Sequence, residues 1–154
     1  MTRKQFNLTR TALLTFASEL DDAVVDVQAD YFDTTIRWHL GHALVTMEKF
    51  LFRYPVKSEN IPASYADFFS SGISPQDWEE EPPSLEELLR DLELQQQRIN
   101  EFNELFWKSN VTFKVPFGSV ETHGDLLIML SFREAELLGK IKTMHQVIAE
   151  DKNA

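Results

Sequence analysis

Four long segments of this chain carry apolar residues at intervals of three and four, which is the spacing of one face of an α-helix. The segments run from about residue 2 to 27, 35 to 54, 84 to 106, and 122 to near the last residue. No segment shows the strict alternation of a half-buried strand. Because each helix has an apolar stripe that must be covered, the sequence predicts an all-α fold of four packed helices.

The starts of helices two and three carry capping signals. Asp33 or Thr34 is the predicted N-cap of helix two, and Ser84 with Glu87 forms a capping box at helix three. Between these helices lies "KSENIPASYADFFSSGISPQDWEEEPPS", residues 57–84. A connection of this length indicates a crossover or a functional lid. We therefore expect a bundle whose second and third helices are joined by a long crossover loop.

Helix two is apolar on a second side as well. This outer line consists of Trp38, Val45 and Phe52. A helix with two apolar sides is buried on two sides. We expect the crossover loop, with Phe68, Phe69 and Trp78, to cover the line, and a two-fold homodimer interface is the second candidate.

Composition limits the partners of the chain. Its 154 residues, 43% of them apolar, suit one domain spanning residues 1–154. A net charge of −10 without clustered Lys or Arg argues against nucleic acid and against an anionic membrane surface as partners. We expect no secretory signal and no transmembrane span. The absence of cysteine excludes disulfides and thiolate chemistry and is compatible with the cytoplasmic location that we expect.

Two histidines, His39 and His42, lie three residues apart in "RWHLGHALVTMEKF" on helix two. Such a pair can chelate a metal ion, but a working zinc or nickel centre needs a third protein ligand. His123 and His145 are predicted near the start and the end of helix four. The alternative is that each imidazole fills space or is hydrogen-bonded at a seam between helices, and this reading is favoured.

Three stretches in order along the chain resemble the DinB-like, or DinB/YfiT, superfamily. They are "TTIRWHLGH" (residues 34–42), "FFSSGISPQDWEEEPPSLEELLRDLELQQQRI" (residues 68–99) and "FGSVETHGDLLIMLSFREAELLGKI" (residues 117–141). The resemblance implies an up-down-down-up four-helix bundle with a long link between helices two and three, usually as a homodimer.

The resemblance also implies a divalent metal, often nickel or zinc, held by three histidines. His42 matches the ligand on helix two. The two ligands on helix four belong to a pattern His-Glu-x-x-His-x-Gly, which here reads "REAELLG". Arg133 and Leu137 replace the histidines, whereas Glu134 and Gly139 match. Leucine cannot coordinate a metal and arginine repels it, so we expect no metal cofactor, and His39 offers only partial rescue.

The arginine raises two hypotheses about what occupies this site. Periodicity places Arg133 near the inner face of helix four, where a buried guanidinium needs an anion. The first hypothesis is an internal ion pair with Glu48 or Glu19. The second is that Arg133 and His42 bind an external anion such as a small carboxylate, because the guanidinium fork suits that role.

These observations leave the catalytic status of the protein open. The favoured interpretation is a DinB-like protein with a degenerate metal site and a non-catalytic role, in binding a small anion or in a stress response. The candidate ligand-binding residues are His42, Arg133, Glu134 and His39. The alternative is a metal-dependent thiol S-transferase or isomerase of the DinB/YfiT type, or metal-free acid–base chemistry through His42, His39 and Glu134. DNA handling is suggested only by the family name, and the charge balance opposes it.

Overall fold

The computed structural model describes residues 3–115 and 119–153, and within these ranges the chain is helical without strands. Among the described residues, one antiparallel bridge joins Asn110 and Thr122. The α-helices of the described ranges are α1 Arg3–Ser18, α2 Asp22–Val25, α3 Ile36–Phe52, α4 Tyr65–Phe69, α5 Leu85–Glu101, α6 Glu104–Lys108 and α7 His123–Asn153. The all-α prediction is confirmed.

The helix boundaries differ from the predicted ones where a polar side chain caps a new turn. The first predicted segment, whose start at Thr2 lies outside the described residues, breaks at Ser18, and α2 begins after an N-cap at Asp21. The N-cap of α3 is Thr35, not Asp33 or Thr34, because the Thr35 hydroxyl accepts a hydrogen bond from the Trp38 N–H at 3.2 Å.

The capping box predicted for the third long helix is confirmed at the start of α5. The Glu87 N–H donates to the Ser84 hydroxyl at 3.1 Å, and the Ser84 N–H donates to the Glu87 carboxylate at 3.0 Å. This helix stops at Glu101, and α6 begins separately after Asn103, whose side chain accepts from the Phe106 N–H. One predicted segment therefore becomes two helices, because Asn103 caps a second start.

The four long helices contact one another in a ring. Helix α1 packs on α5 and α7, and α3 packs on the same two helices. Their buried apolar side chains form two clusters, of which the larger includes residues of the crossover segment between α3 and α5. Within the described ranges, no helix is both long and apolar enough to cross a lipid bilayer.

The crossover segment covers α3, as the sequence predicted. Phe69 is fully buried and packs directly on Gly41, where an added Cβ would lie only 2.3 Å from its ring. The Trp78 indole donates to the Phe68 carbonyl oxygen at 2.9 Å, and its ring lies edge-on to the rings of Phe68 and Phe69. Trp38 belongs to the same buried cluster as Phe68 and Phe69.

Phe52, the third residue of the outer apolar line on α3, packs away from the crossover segment. Val45 shares the cluster of the crossover aromatics, whereas Phe52 joins the smaller cluster and its ring centroid lies 5.3 Å from that of Phe102. The second apolar side of α3 is thus divided between the crossover segment and the turn after α5.

Candidate functional site

A cavity of about 440 Å³ lies between α3 and α7. We refer to it as the α3–α7 cavity; its walls come from residues between 38 and 47 on α3 and between 130 and 140 on α7. All four residues proposed from the sequence as ligand-binding line this cavity: His39, His42, Arg133 and Glu134. The sequence reasoning missed a second cation in the lining, Lys140.

The ring of His42 is fixed on both sides. Its Nδ1 donates a hydrogen bond to the Phe69 carbonyl oxygen at 2.7 Å, because a carbonyl can only accept. The Trp38 ring stacks on it with centroids 4.5 Å apart and planes 11° from parallel. In the neutral imidazole, Nε2 is then an acceptor, and it lies 3.5 Å from the Thr46 hydroxyl oxygen. The crossover segment therefore sets both the orientation and the tautomer of His42.

Burial keeps His42 neutral. Desolvation is the largest influence and lowers the pKa of its imidazole, and the positive charge of Arg133 lowers it further. The hydrogen bond to the Phe69 carbonyl acts in the opposite direction. His42 can consequently accept a hydrogen bond through Nε2 at neutral pH.

His39 is even more strongly held in the neutral form. It is 6% exposed, and burial followed by the charge of Lys140 lowers its pKa to about 4. Its Nε2 lies 2.7 Å from the Thr34 hydroxyl oxygen, whereas its Nδ1 is buried without a hydrogen-bond partner among the described residues. A buried polar atom in this state calls for a small polar partner such as a water molecule.

Arg133 is exposed, so the expectation that its guanidinium is buried is wrong. The buried face of α7 includes Leu126 and Leu130 of the predicted line, and it continues through Ser131, Glu134 and Leu138. Arg133 is about 100° around the helix from Glu134, so it lies at the edge of this face, where it lines the cavity.

A different arginine forms the internal ion pair. Arg10 on α1 is fully buried, and its Nε and Nη2 donate to the two Glu134 carboxylate oxygens at 2.9 and 2.8 Å. Its Nη1 donates to the Leu92 carbonyl oxygen at 2.9 Å. Arg10 follows Phe6 by four residues and precedes Leu13 by three, so its place on the apolar stripe of α1 was visible in the sequence.

Neither carboxylate suggested as a partner for Arg133 fits the first hypothesis. Glu48 is fully buried, and Ser58, Asn60 and Gln95 donate hydrogen bonds to it at 2.6 to 2.9 Å. Its role is to tie the crossover segment and α5 to α3. Glu19 is exposed beyond the end of α1.

His123 and His145 lie outside this site. Ring atom Nδ1 of His123 is 2.9 Å from the Ser109 hydroxyl oxygen, and the ring of His145 meets that of Phe16 edge-on at 5.8 Å. Neither residue lines the α3–α7 cavity. His123 is hydrogen-bonded and His145 packs against a ring, which agrees with the favoured interpretation that each imidazole fills space or is hydrogen-bonded between helices.

The residues present do not fit a divalent metal. At the three positions that the resemblance assigns to ligands, only His42 has a donor atom, and Arg133 adds a positive charge beside it. Across the described ranges, no group of three or more His, Cys, Asp and Glu side chains is placed to hold a metal ion.

The chain belongs to the DinB superfamily, because the model of that family matches residues 5–136, more than half of the chain. The matched region includes His39, His42, Arg133 and Glu134. No curated protein matches the chain.

Proposed function

We propose that this DinB-superfamily protein binds a small organic anion in the α3–α7 cavity and has no catalytic metal. The observation that carries the proposal is the placement of Arg133 and Lys140, both exposed, on the wall of a cavity whose two histidines are neutral. A guanidinium binds a carboxylate through two parallel hydrogen bonds. The apolar wall, which includes Met47 and Leu130, can take up the hydrocarbon part of such a molecule.

The charge balance of the cavity supports an anion. Glu134 lines the wall, but its carboxylate is neutralised by Arg10. Among the described lining residues, the remaining charges are two cations, Arg133 and Lys140, and one carboxylate, Glu136. The cavity therefore has one positive charge in excess, on a chain whose net charge is −10.

His42 adds a directional contact. Because Nδ1 donates to the Phe69 carbonyl, Nε2 is the acceptor of this ring, and an O–H or N–H of the ligand would replace its long contact of 3.5 Å with the Thr46 hydroxyl. This acceptor sits beside the cations, so a carboxylic acid that also carries a hydroxyl or amide group suits the site.

The same contacts support a non-catalytic role. Both Glu134 oxygens accept hydrogen bonds from Arg10, which leaves the carboxylate poorly suited to act as a general base. A histidine whose pKa is lowered to about 4, as for His39, is not in its imidazolium form at neutral pH and cannot act there as a general acid. A stress-associated role stays a prediction.

Calorimetric titration with hexanoate and with the uncharged hexanamide tests the proposal. We expect hexanoate to bind the wild-type protein and hexanamide not to bind, because only the acid carries the charge that Arg133 attracts. Arg133→Gln is expected to weaken hexanoate binding at least tenfold. The matched control is Lys142→Gln on the same helix, which does not line the cavity. Equal binding of acid and amide would refute the proposal.

Metal analysis of the purified protein tests the alternative of a metal-dependent thiol S-transferase or isomerase. Stoichiometric nickel or zinc that disappears in His42→Ala would favour this enzyme over anion binding. We expect less than about 0.1 equivalent of metal per protein chain, because a single imidazole beside a guanidinium is a weak metal site.

Four further properties accompany the proposal. We propose the up-down-down-up order of a four-helix bundle, which the ring of contacts among α1, α3, α5 and α7 supports. A homodimer, one domain over residues 1–154 and a cytoplasmic location stay predictions. Light scattering on the purified protein measures its mass in solution, which a homodimer would double. Cell fractionation checks the location.

A further inference from the structure

A second cavity, of about 320 Å³, adjoins the α3–α7 cavity. We call it the Lys49 cavity. The two cavities share His42, Thr46, Leu130 and Arg133, so Arg133 stands between them. The shared wall makes them neighbouring compartments of one groove along α3 and α7.

The charges of the Lys49 cavity are of one sign. Its charged lining residues among those described are Lys49 and Arg133, and none of the described lining residues is acidic. Ser70 and Ser71, from the segment after α4, also line it; the Ser70 hydroxyl donates to the Ala66 carbonyl oxygen, so Ser71 is the serine that can donate to a ligand. On a chain with 25 acidic and 15 basic residues, a compartment with two cations and no carboxylate attracts an anionic group.

The crossover segment holds this compartment in place. Ser70 and Ser71 directly follow Phe69, whose carbonyl oxygen accepts from His42 and whose ring packs on Gly41. The wall that carries the two serines is therefore connected, through the Phe69 carbonyl, to His42, which also lines the α3–α7 cavity.

The cations are spaced along the groove. From Trp38 to Phe50 along α3, the facing residues of α7 run back from Lys140 to Met129, so the two helices are antiparallel here. Lys140 therefore lies toward the start of α3, Lys49 toward its end and Arg133 between them. The cavities are displaced by about one to two helical turns, or ~5–11 Å.

We propose that the ligand is an extended organic molecule with two anionic groups, one in each cavity. This inference rests on the proposed function and specifies its ligand class. Arg133 contacts the ligand where the two compartments meet, and Lys140 attracts the anionic group in the α3–α7 cavity. Lys49 and the Ser71 hydroxyl bind the other anionic group. The apolar residues on the shared wall, among them Leu130, contact the chain that connects the two groups.

Calorimetric titration of matched acids on the full chain tests the inference. Suberate and adipate carry two carboxylates on a chain long enough to span the cavities, succinate is shorter, and octanoate and hexanoate carry one carboxylate. We expect the longer diacids to bind about fivefold more tightly than the monoacids of equal length, and succinate to gain no such advantage.

Lys49→Gln is the decisive variant, with Lys142→Gln as the matched control. Lys49→Gln is expected to remove the advantage of the longer diacids while leaving hexanoate affinity unchanged. Equal affinities for diacid and monoacid, or a Lys49→Gln effect that is the same for both, would overturn the inference and leave the proposed function standing. If no acid binds the wild-type protein, or if Arg133→Gln leaves acid binding unchanged, the proposed function and the inference both fail.

Discussion

Replacement of Arg10 by methionine is expected to destabilise the protein severely. The change keeps most of the side-chain length but removes three hydrogen bonds from a fully buried guanidinium, two to Glu134 and one to the Leu92 carbonyl. It leaves a carboxylate that is 4% exposed without its counter-charge. Removal of one partner from a buried ion pair costs about 3–5 kcal/mol, a large part of the ~5–15 kcal/mol that stabilises a typical domain.

Urea unfolding followed by circular dichroism measures this loss. We expect the transition midpoint of Arg10→Met to fall while the slope stays constant, which reports a change in stability alone. The double variant Arg10→Met with Glu134→Leu removes both charges and is expected to recover most of the loss, because an apolar pair fills the space without an unpaired ion.

Lys142→Met on the exposed side of α7 is the control and is expected to change the unfolding free energy by roughly 0.5 kcal/mol or less. The reasoning fails if Arg10→Met costs less than about 1 kcal/mol, because a buried Glu134 carboxylate would then be tolerated alone. It also fails if the double variant is as unstable as the sum of its single changes.

Three other predictions follow from the site and its support. Introducing histidine at both Arg133 and Leu137 is expected to produce nickel or zinc binding, measured by metal analysis after dialysis, because His42 then has two partners. Gly41→Ala is expected to cost about 1–3 kcal/mol of stability in urea, because its Cβ meets a buried aromatic ring at 2.3 Å. The unfolding free energy is expected to fall between pH 6.5 and 4, and His39→Gln to reduce that fall, because the imidazole pKa is about 4 in the folded protein and 6.5 in the reference state.

Each of these predictions has its own control. The single changes Arg133→His and Leu137→His are expected to bind metal more weakly than the pair, and equal binding would contradict the three-ligand argument. Gly139→Ala meets open space on α7, so it is expected to be neutral or to stabilise by about 0.5–1 kcal/mol.

The pH prediction follows from proton binding in the two states. Between pH 4 and 6.5 the unfolded chain binds more protons at position 39 than the folded one, so stability rises with pH. An identical pH slope in the wild-type protein and His39→Gln would show that this histidine does not contribute to the dependence.

Local sequence patterns determined the secondary structure of this protein. The three- and four-residue spacing predicted the long helices, and the Ser84–Glu87 capping box located the start of α5 correctly. Crossover aromatics such as Phe69 were also correctly assigned to the outer side of α3. These features depend on side chains close in sequence or on a long apolar segment that has few places to pack.

Tertiary packing decided which charged side chains pair and which line the cavity. Arg10 and Glu134 are 124 residues apart in sequence, and no local pattern pairs them. Neighbouring residues on a helix differ by about 100°, so the rotation of α7 about its axis decides which of Glu134 and Arg133 faces the core. That rotation is set by the contacts of α7 with α1 and α3, and it placed Arg133 between Lys140 and Lys49 along the groove.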